Sequence, residues 1–215
     1  MRTDDLVSML ATGAGAGAVE PNRAARRYAS AIGVGAVGAA MLMAPLLGVR
    51  HDLDTAVLLP MFWVKIVFVA SLAAASLLAA ARLARPGVRL AWAPGALAAP
   101  LIAIWVLSAV ALLQAEPAQR EALFYGETWN SCPLLIALLA APAFVTVMWA
   151  MKGLAPTRLR LAGAGAGLLA GAIGALVYSL HCPESGAPFI GFWYPLGMLI
   201  PTAFGAVLGP RLLRW

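Results

Sequence analysis

Two cysteines are the residues of this chain best suited to covalent or metal chemistry, and each is followed by a proline. Cys132 lies in the stretch SCPLL, and Cys182 lies in HCPES together with His181 and Glu184. Two thiols can form a disulfide, and with His181 they form a minimal set of ligands for a soft metal cation, to which Glu184 could add. Two buried cysteines can also be plain apolar residues, and a purely structural disulfide is a further alternative.

The composition indicates a membrane protein, because the 215-residue chain is 62% hydrophobic and only 11% charged. Soluble domains average about 25% charged residues, and a membrane span needs about 20 mostly apolar residues. Six segments have that length and character: approximately residues 28–47, 57–81, 90–113, 132–151, 160–180 and 189–210. We therefore predict an all-α fold, a polytopic membrane bundle of six transmembrane helices surrounded by lipid.

The basic residues predict the orientation of this bundle. Twelve of the fifteen Lys and Arg residues fall on one side of the predicted spans, and Arg50 and Arg120 fall on the other. Positive charge marks cytoplasmic loops, so both termini are predicted to be cytoplasmic. Residues 1–27 then form a cytoplasmic segment and residues 28–215 a transmembrane domain, multi-pass in the inner membrane if the source is a Gram-negative bacterium. Because the charges come in short clusters between apolar runs, we expect no direct contact with nucleic acid.

The predicted spans place the two thiols at the same depth. Cys132 begins the fourth span about 30 Å from Lys152, and Cys182 ends the fifth about 33 Å from Arg160, at 1.5 Å per helical residue. Both thiols therefore lie at the outer face, where a periplasm would allow a disulfide. A helix N-terminus favours a thiolate, so Cys132 is predicted to attack and Cys182 to resolve.

Other polar residues near this face have several interpretations. Lys65 lies inside the second span, so it should either pair with Asp52 or Asp54 or extend to the outer interface. His51 is more often a plain surface residue than an auxiliary ligand. The aromatic residues Trp193 and Tyr194 are explained by an interfacial belt.

The N-terminal segment predicts a short amphipathic helix. Thr3 resembles an N-cap, Asp4 and Asp5 suit a first turn, and Leu6 and Leu10 belong to an apolar stripe. Such a helix could dock on a basic, grooved partner. A membrane-surface helix and a disordered tail are the alternatives, since a helix of this length is marginal alone.

Glycines spaced by four residues mark close helix contacts in the last two spans. Gly163, Gly167 and Gly171 fall in the fifth span, and Gly205 and Gly209 in the sixth. Such small-residue faces allow two backbones to approach closely. Packing within one bundle is the favoured interpretation, and a homodimer through these faces is the alternative.

Several longer stretches resemble the NrsF-type family of bacterial anti-sigma factors. The matching stretches are TDDL, GVRHDLDTAVLLPMFWVK, RLARPG, SCPLL, LAPTRLRLAGAGAGLLAG, YSLHCPESGAPFIGFWY and GPRLLRW. One departure is His51, where a proline is expected.

The resemblance implies an inner-membrane protein that holds an extracytoplasmic-function sigma factor and releases it under metal or oxidative stress. The sensing thiols would be Cys132 and Cys182, and the head from Thr3 to Leu10 would help to hold the sigma factor. We expect no cofactor and no enzymatic activity. The nature of the signal and the resting redox state of the thiols stay open.

A membrane thiol oxidoreductase and a small metal or solute transporter are the alternative function classes. A membrane thiol oxidoreductase would pass electrons from periplasmic thiols to quinone, but it usually needs two thiol pairs or a CxxC motif, and this chain has one distant pair. A small metal or solute transporter would use Lys65 and the polar groups of the outer face. No span carries a line of acidic residues, which argues against a cation pathway.

Overall fold

The computed structural model describes residues 3–13, 23–85, 88–154 and 156–214, and every regular element in these ranges is helical. The helices are α1 (Thr3–Gly13), α2 (Arg23–Leu46), α3 (Leu53–Ala56), α4 (Pro60–Leu83), α5 (Ala93–Gln114), α6 (Pro117–Tyr125), α7 (Cys132–Lys152), α8 (Leu159–Tyr178) and α9 (Ala187–Leu212). Residues 14–22 of the predicted cytoplasmic segment lie outside the described residues, as does the side chain of Leu10.

Six of these helices are long and apolar enough to cross a membrane, which confirms the predicted all-α bundle of six spans. They are α2 from Ala25 onwards, α4, α5, α7, α8 and α9. The short helices α3 and α6 lie in the connections between spans. The cytoplasmic position of the termini and the division of the chain at residue 27 stay predictions.

Prolines set the start of several spans. Pro60, Pro133 and Pro188 occupy the first or second helical position of α4, α7 and α9, where the missing N–H has no intrahelical partner to lose. The second span therefore begins at Pro60 rather than near residue 57, because the short helix α3 uses the residues before it. Other prolines, among them Pro142 and Pro201, lie inside spans, where neighbouring helices can satisfy the freed carbonyls.

Helix α8 is the centre of the bundle, and it packs against α9, α7 and α4. Its glycine face lies directly on α9: a Cβ atom added at Gly163 would overlap the carbonyl oxygen of Gly205, and one at Gly167 would overlap that of Pro201. The two predicted small-residue faces thus pack against each other within one chain. This accounts for the glycine spacing without a homodimer.

The buried side chains form two clusters along the bundle. One contains Tyr28, Val147 and Leu213, near the start of α2 and the end of α9. The other contains Phe68, Tyr194 and both cysteines at the opposite end.

Candidate functional site

The two cysteines come together in the core at one end of the bundle. Cys132 is the first residue of α7, and Cys182 follows the end of α8 at Tyr178 by four residues. Both side chains are fully buried, both are free thiols, and both belong to the same hydrophobic cluster. The placement of the thiols on neighbouring helices at one level therefore agrees with the expected geometry, whereas their sensing role stays a prediction.

Two tyrosines adjoin the thiols. Tyr178 is fully buried and belongs to the same cluster as both thiols. Tyr194 is also fully buried, its ring centroid lies 5.9 Å from that of Tyr178, and its hydroxyl has no hydrogen-bond partner. The expectation that Tyr194 belongs to an interfacial belt is wrong, because α9 turns this residue into the bundle. The sequence offered no signal for this, since aromatic residues are common both in cores and at interfaces.

Lys65 is fully buried in the second turn of α4. Its Nζ atom donates hydrogen bonds to the carbonyl oxygens of Cys182, at 2.9 Å, and Glu184, at 3.0 Å. The predicted pairing with Asp52 or Asp54 is therefore replaced by two backbone acceptors. The alternative, an extended side chain that reaches the interface, is excluded by the complete burial of Lys65.

Asp52 is paired instead with Arg50 in the connection between α2 and α4. The Nε and Nη2 atoms of Arg50 each lie 2.7 Å from a different carboxylate oxygen of Asp52. This hydrogen-bonded pair lowers the pKa of Asp52 to about 2 and raises the pKa of Arg50 above its ordinary value. Arg50 also reaches the thiol region, because its Nη1 lies 3.4 Å from the carbonyl oxygen of Cys182.

Glu184 connects two outer segments of the chain. Its carboxylate accepts a hydrogen bond of 2.8 Å from the backbone N–H of Glu127. Gly126, with a positive φ of 57°, packs so closely that a Cβ atom there would lie 2.7 Å from the carboxylate. Glu184 thereby holds the residues that lead into Cys132 against the residues that follow Cys182.

The auxiliary histidines lie apart from any common ligand position. The Nδ1 atom of His181 is 3.0 Å from the carbonyl oxygen of Gly48, and His51 is exposed. Among the described residues, no group of three or more His, Cys, Asp or Glu side chains is arranged to hold a metal ion. The structure thus brings together Cys132 and Cys182 but does not assemble the three-ligand set with His181.

Helix α6 packs against a group of aromatic side chains near the thiols. We call the helix and these residues, Trp129, Phe192 and Trp193, the aromatic cap. The indole Nε1 of Trp193 donates to the carbonyl oxygen of Phe124 at 2.9 Å. The ring of Trp129 lies 5.4 Å from that of Trp193, and Thr128 Oγ1 lies 4.0 Å from the Sγ of Cys182. The cap therefore joins α6 to α9, and Trp193 belongs to the same buried cluster as the two cysteines.

The N-terminal helix α1 contrasts with this buried site. Thr3, Asp4, Asp5 and Leu6 are all exposed, as is the apolar side chain of Met9, which is 65% accessible. Leu6 and Met9 lie three residues apart, so they share one side of the helix. Leu6 and Met9 of the predicted apolar stripe are therefore on the surface of α1, and the role of this helix stays a prediction.

Helix α2 follows α1 in the chain and is fixed to the bundle by polar contacts. Arg27 donates to the carbonyl oxygen of Trp149 at 3.0 Å, and its guanidinium carbon lies 4.6 Å from the centroid of that ring. The hydroxyl of Tyr28 donates to the carbonyl oxygen of Ala80 on α4 at 3.4 Å. The start of α2 is thus in contact with both α7 and α4.

Comparison with known proteins gives one family. The family described as NrsF, negative regulator of sigma F, matches residues 10–215. The chain is 62% identical over 215 residues to the probable anti-sigma-F factor NrsF of Azospira oryzae, with 100% of both chains covered. It is 41% identical over 218 residues to the anti-sigma-F factor NrsF of Caulobacter vibrioides, again with 100% of both chains covered. No solved structure matches the chain.

Proposed function

This chain belongs to the NrsF family, and we propose that it is a membrane anti-sigma factor that holds a sigma factor of the extracytoplasmic-function type. Similarity over the full length of two anti-sigma-F factors supports the regulatory role. The six apolar helices and the bias of Lys and Arg to one side support a multi-pass protein of the bacterial inner membrane with both termini in the cytoplasm. In this role the protein acts by binding rather than by catalysis.

The input of this regulator is the thiol pair, facing the periplasmic side. The observation that carries the proposal is that Cys132 and Cys182, fifty residues apart, lie as free thiols in one buried cluster. An oxidant that removes two electrons and two protons from the pair would join the two sulfurs in a disulfide. A soft metal cation would instead displace the two thiol protons and bridge the sulfurs. Either reaction brings the start of α7 and the segment after α8 to a new separation.

The output is the surface that holds the sigma factor at the other end of the bundle. Helix α1 presents an exposed acidic first turn, Asp4 and Asp5, and an exposed apolar side, Leu6 and Met9. A basic groove on the sigma factor would complement both features. Thr3 and Leu10 complete the segment that we assign to sigma binding.

Release requires two packings of the bundle with different affinities for the sigma factor. Reversing the ratio of bound to free partner from 99:1 to 1:99 takes about 5.5 kcal/mol of differential binding. A disulfide stabilises a folded chain against unfolding by about 2–4 kcal/mol, and only the part of this that differs between the two packings counts toward that requirement. The thiol reaction by itself therefore gives a graded release. Further contacts that differ between the two packings supply the rest of the differential binding free energy.

The test of the thiol input is the double variant Cys132→Ser, Cys182→Ser, expressed in the native host with a sigma-dependent reporter. We expect the variant to keep the reporter silent in peroxide or cadmium, while the parent protein responds. Normal induction in the double variant would refute thiol sensing. The test of the output is co-purification of the sigma factor with the full chain and with a chain lacking residues 1–27; equal recovery would refute the role of the head.

A further inference from the structure

Lys65 carries a buried positive charge with unusual partners. Its side chain is fully buried, and both hydrogen bonds of its Nζ go to backbone carbonyls rather than to a carboxylate. The ion pair that the described residues form at this end of the bundle joins Arg50 to Asp52 and does not include Lys65. Burial of an ammonium group is costly unless its donors are satisfied. The two carbonyl contacts are therefore necessary to keep Lys65 in this position.

The acceptors belong to the segment that carries one of the thiols. Residues 182–186 lie between α8 and α9 without regular structure, and of their carbonyls the one at Gly186 accepts a hydrogen bond from α9, which leaves those of Cys182 and Glu184 to other donors. The carbonyls of Cys182 and Glu184 flank Pro183, and both point to the same Nζ atom. Any shift of Cys182 during reaction of its thiol must lengthen or break a hydrogen bond to Lys65.

Helix α4 connects this contact with the opposite end of the bundle. From Lys65 to Ala80 the helix is continuous, which is a length of about 22 Å at 1.5 Å per residue. Ala80 accepts the hydrogen bond from Tyr28, and α2 carries Tyr28 close to the N-terminal segment. A displacement of α4 at Lys65 therefore reaches the start of α2 through one rigid element.

We propose that Lys65 is a positioning residue: it fixes the Cys182 segment against α4 and passes the displacement of Cys182 on thiol reaction to that helix. The inference rests on the proposed thiol sensing and names the contact through which the signal leaves the thiol pair. Arg50 assists from the neighbouring connection, but its contact with Cys182, at 3.4 Å, is the longer one. Without Lys65, the Cys182 segment loses its main attachment to α4 and opens more often.

The test measures the alkylation of each thiol by N-ethylmaleimide in the full-length, detergent-solubilised protein. Cys182 is followed in the Cys132→Ser background and Cys132 in the Cys182→Ser background. Lys65→Met is expected to raise the alkylation rate of Cys182 by about tenfold, the factor that corresponds to the loss of hydrogen bonds from a charged donor. Lys65→Arg, which keeps a cationic donor, is expected to stay within about threefold of the parent. Lys152→Met, at the other end of the bundle, is the matched control.

The outcomes distinguish a positioning role of Lys65 from a general loosening of the helix bundle. An unchanged rate at Cys182 in Lys65→Met, an equal rise at Cys132, or a failure of Lys65→Arg to restore the slow rate would each overturn the proposal. Hydrogen exchange of the unmutated protein before and after oxidation gives a second measurement that needs no Lys65 variant. Protection in residues 60–68 and 182–186 should change together on oxidation, and constant protection in residues 60–68 would refute the coupling.

This experiment does not depend on the release of the sigma factor. If the double cysteine variant still responds to stress, thiol sensing fails, while the alkylation rates still report whether Lys65 positions Cys182. If sensing holds but the rates do not change, the signal leaves the thiol pair by another contact.

Discussion

The contact between α8 and α9 makes Gly163→Ala a sharp test of the packing. A Cβ atom at this position would overlap the carbonyl oxygen of Gly205 and would lie 2.8 Å from the Cα of Gly209. Both neighbours are backbone atoms, so no side-chain rotation can relieve the overlap. The two helices must separate, and the close contacts along their shared face weaken together.

The expected magnitude follows from two opposing terms. Replacement of Gly by Ala inside a helix stabilises by about 0.5–1 kcal/mol, because the alanine backbone loses less entropy on folding. Overpacking of a tight interface costs about 1–3 kcal/mol, and overlap with backbone places Gly163→Ala at the upper end. The net loss is therefore about 2–2.5 kcal/mol.

The matched control is Gly33→Ala in α2. Nothing lies within 4 Å of a Cβ atom at Gly33, so this substitution has only the stabilising effect of replacing Gly by Ala inside a helix. The assay is thermal unfolding of both variants and the parent in the same detergent. We expect the midpoint of Gly163→Ala to fall by several degrees and that of Gly33→Ala to stay level or rise. Equal midpoints for the two variants would refute the close α8–α9 contact.

Three further predictions concern the outer end of the bundle. Gly126→Ala should destabilise by about 1–3 kcal/mol in thermal unfolding, because its φ is positive and its Cβ would meet a facing carboxylate; a stability equal to the parent would contradict the described turn. The pKa of Asp52 is lowered to about 2, so the stability from its pair with Arg50 is present above about pH 4 and is lost as the pH falls through 2. Asp52→Asn should therefore destabilise at pH 6 and make no difference near pH 2, and a pH-independent effect would contradict this. Trp193→Phe removes an indole donor to α6 and should raise the alkylation rate of Cys182 about fivefold, a loss of about 1 kcal/mol; an unchanged rate would contradict a covering role for the cap.

The six spans could be predicted from the sequence because a run of apolar residues can be recognised without knowing its neighbours in the fold. Twenty consecutive apolar residues require burial in lipid whatever their neighbours are, so all six spans were found. The start of the second span differs from the prediction, because the short helix α3 occupies the preceding residues and Pro60 begins α4. Glycine spacing likewise predicted a close helix contact, and the contact lies between α8 and α9.

The partners of the polar residues could not be predicted in the same way. Lys65 binds backbone carbonyls, which every residue carries, so no residue type marks its acceptors. The nearest carboxylate in sequence, Asp52, was already held by Arg50 two residues away. Burial of Tyr194 depends on the rotation of α9 about its axis, and a span that is apolar on all sides does not specify that rotation.

The complete burial of both thiols has a kinetic consequence. A reagent can attack Cys132 or Cys182 only during the fraction of time in which the packing around them is open, since both are fully buried. When opening and closing are fast, the observed rate is the intrinsic rate multiplied by that open fraction. Brief pulses of oxidant therefore leave most molecules unreacted, whereas sustained exposure accumulates modified thiols. Burial therefore slows modification of the thiols by the factor of the open fraction, and the time needed to modify half of the molecules lengthens as that fraction falls.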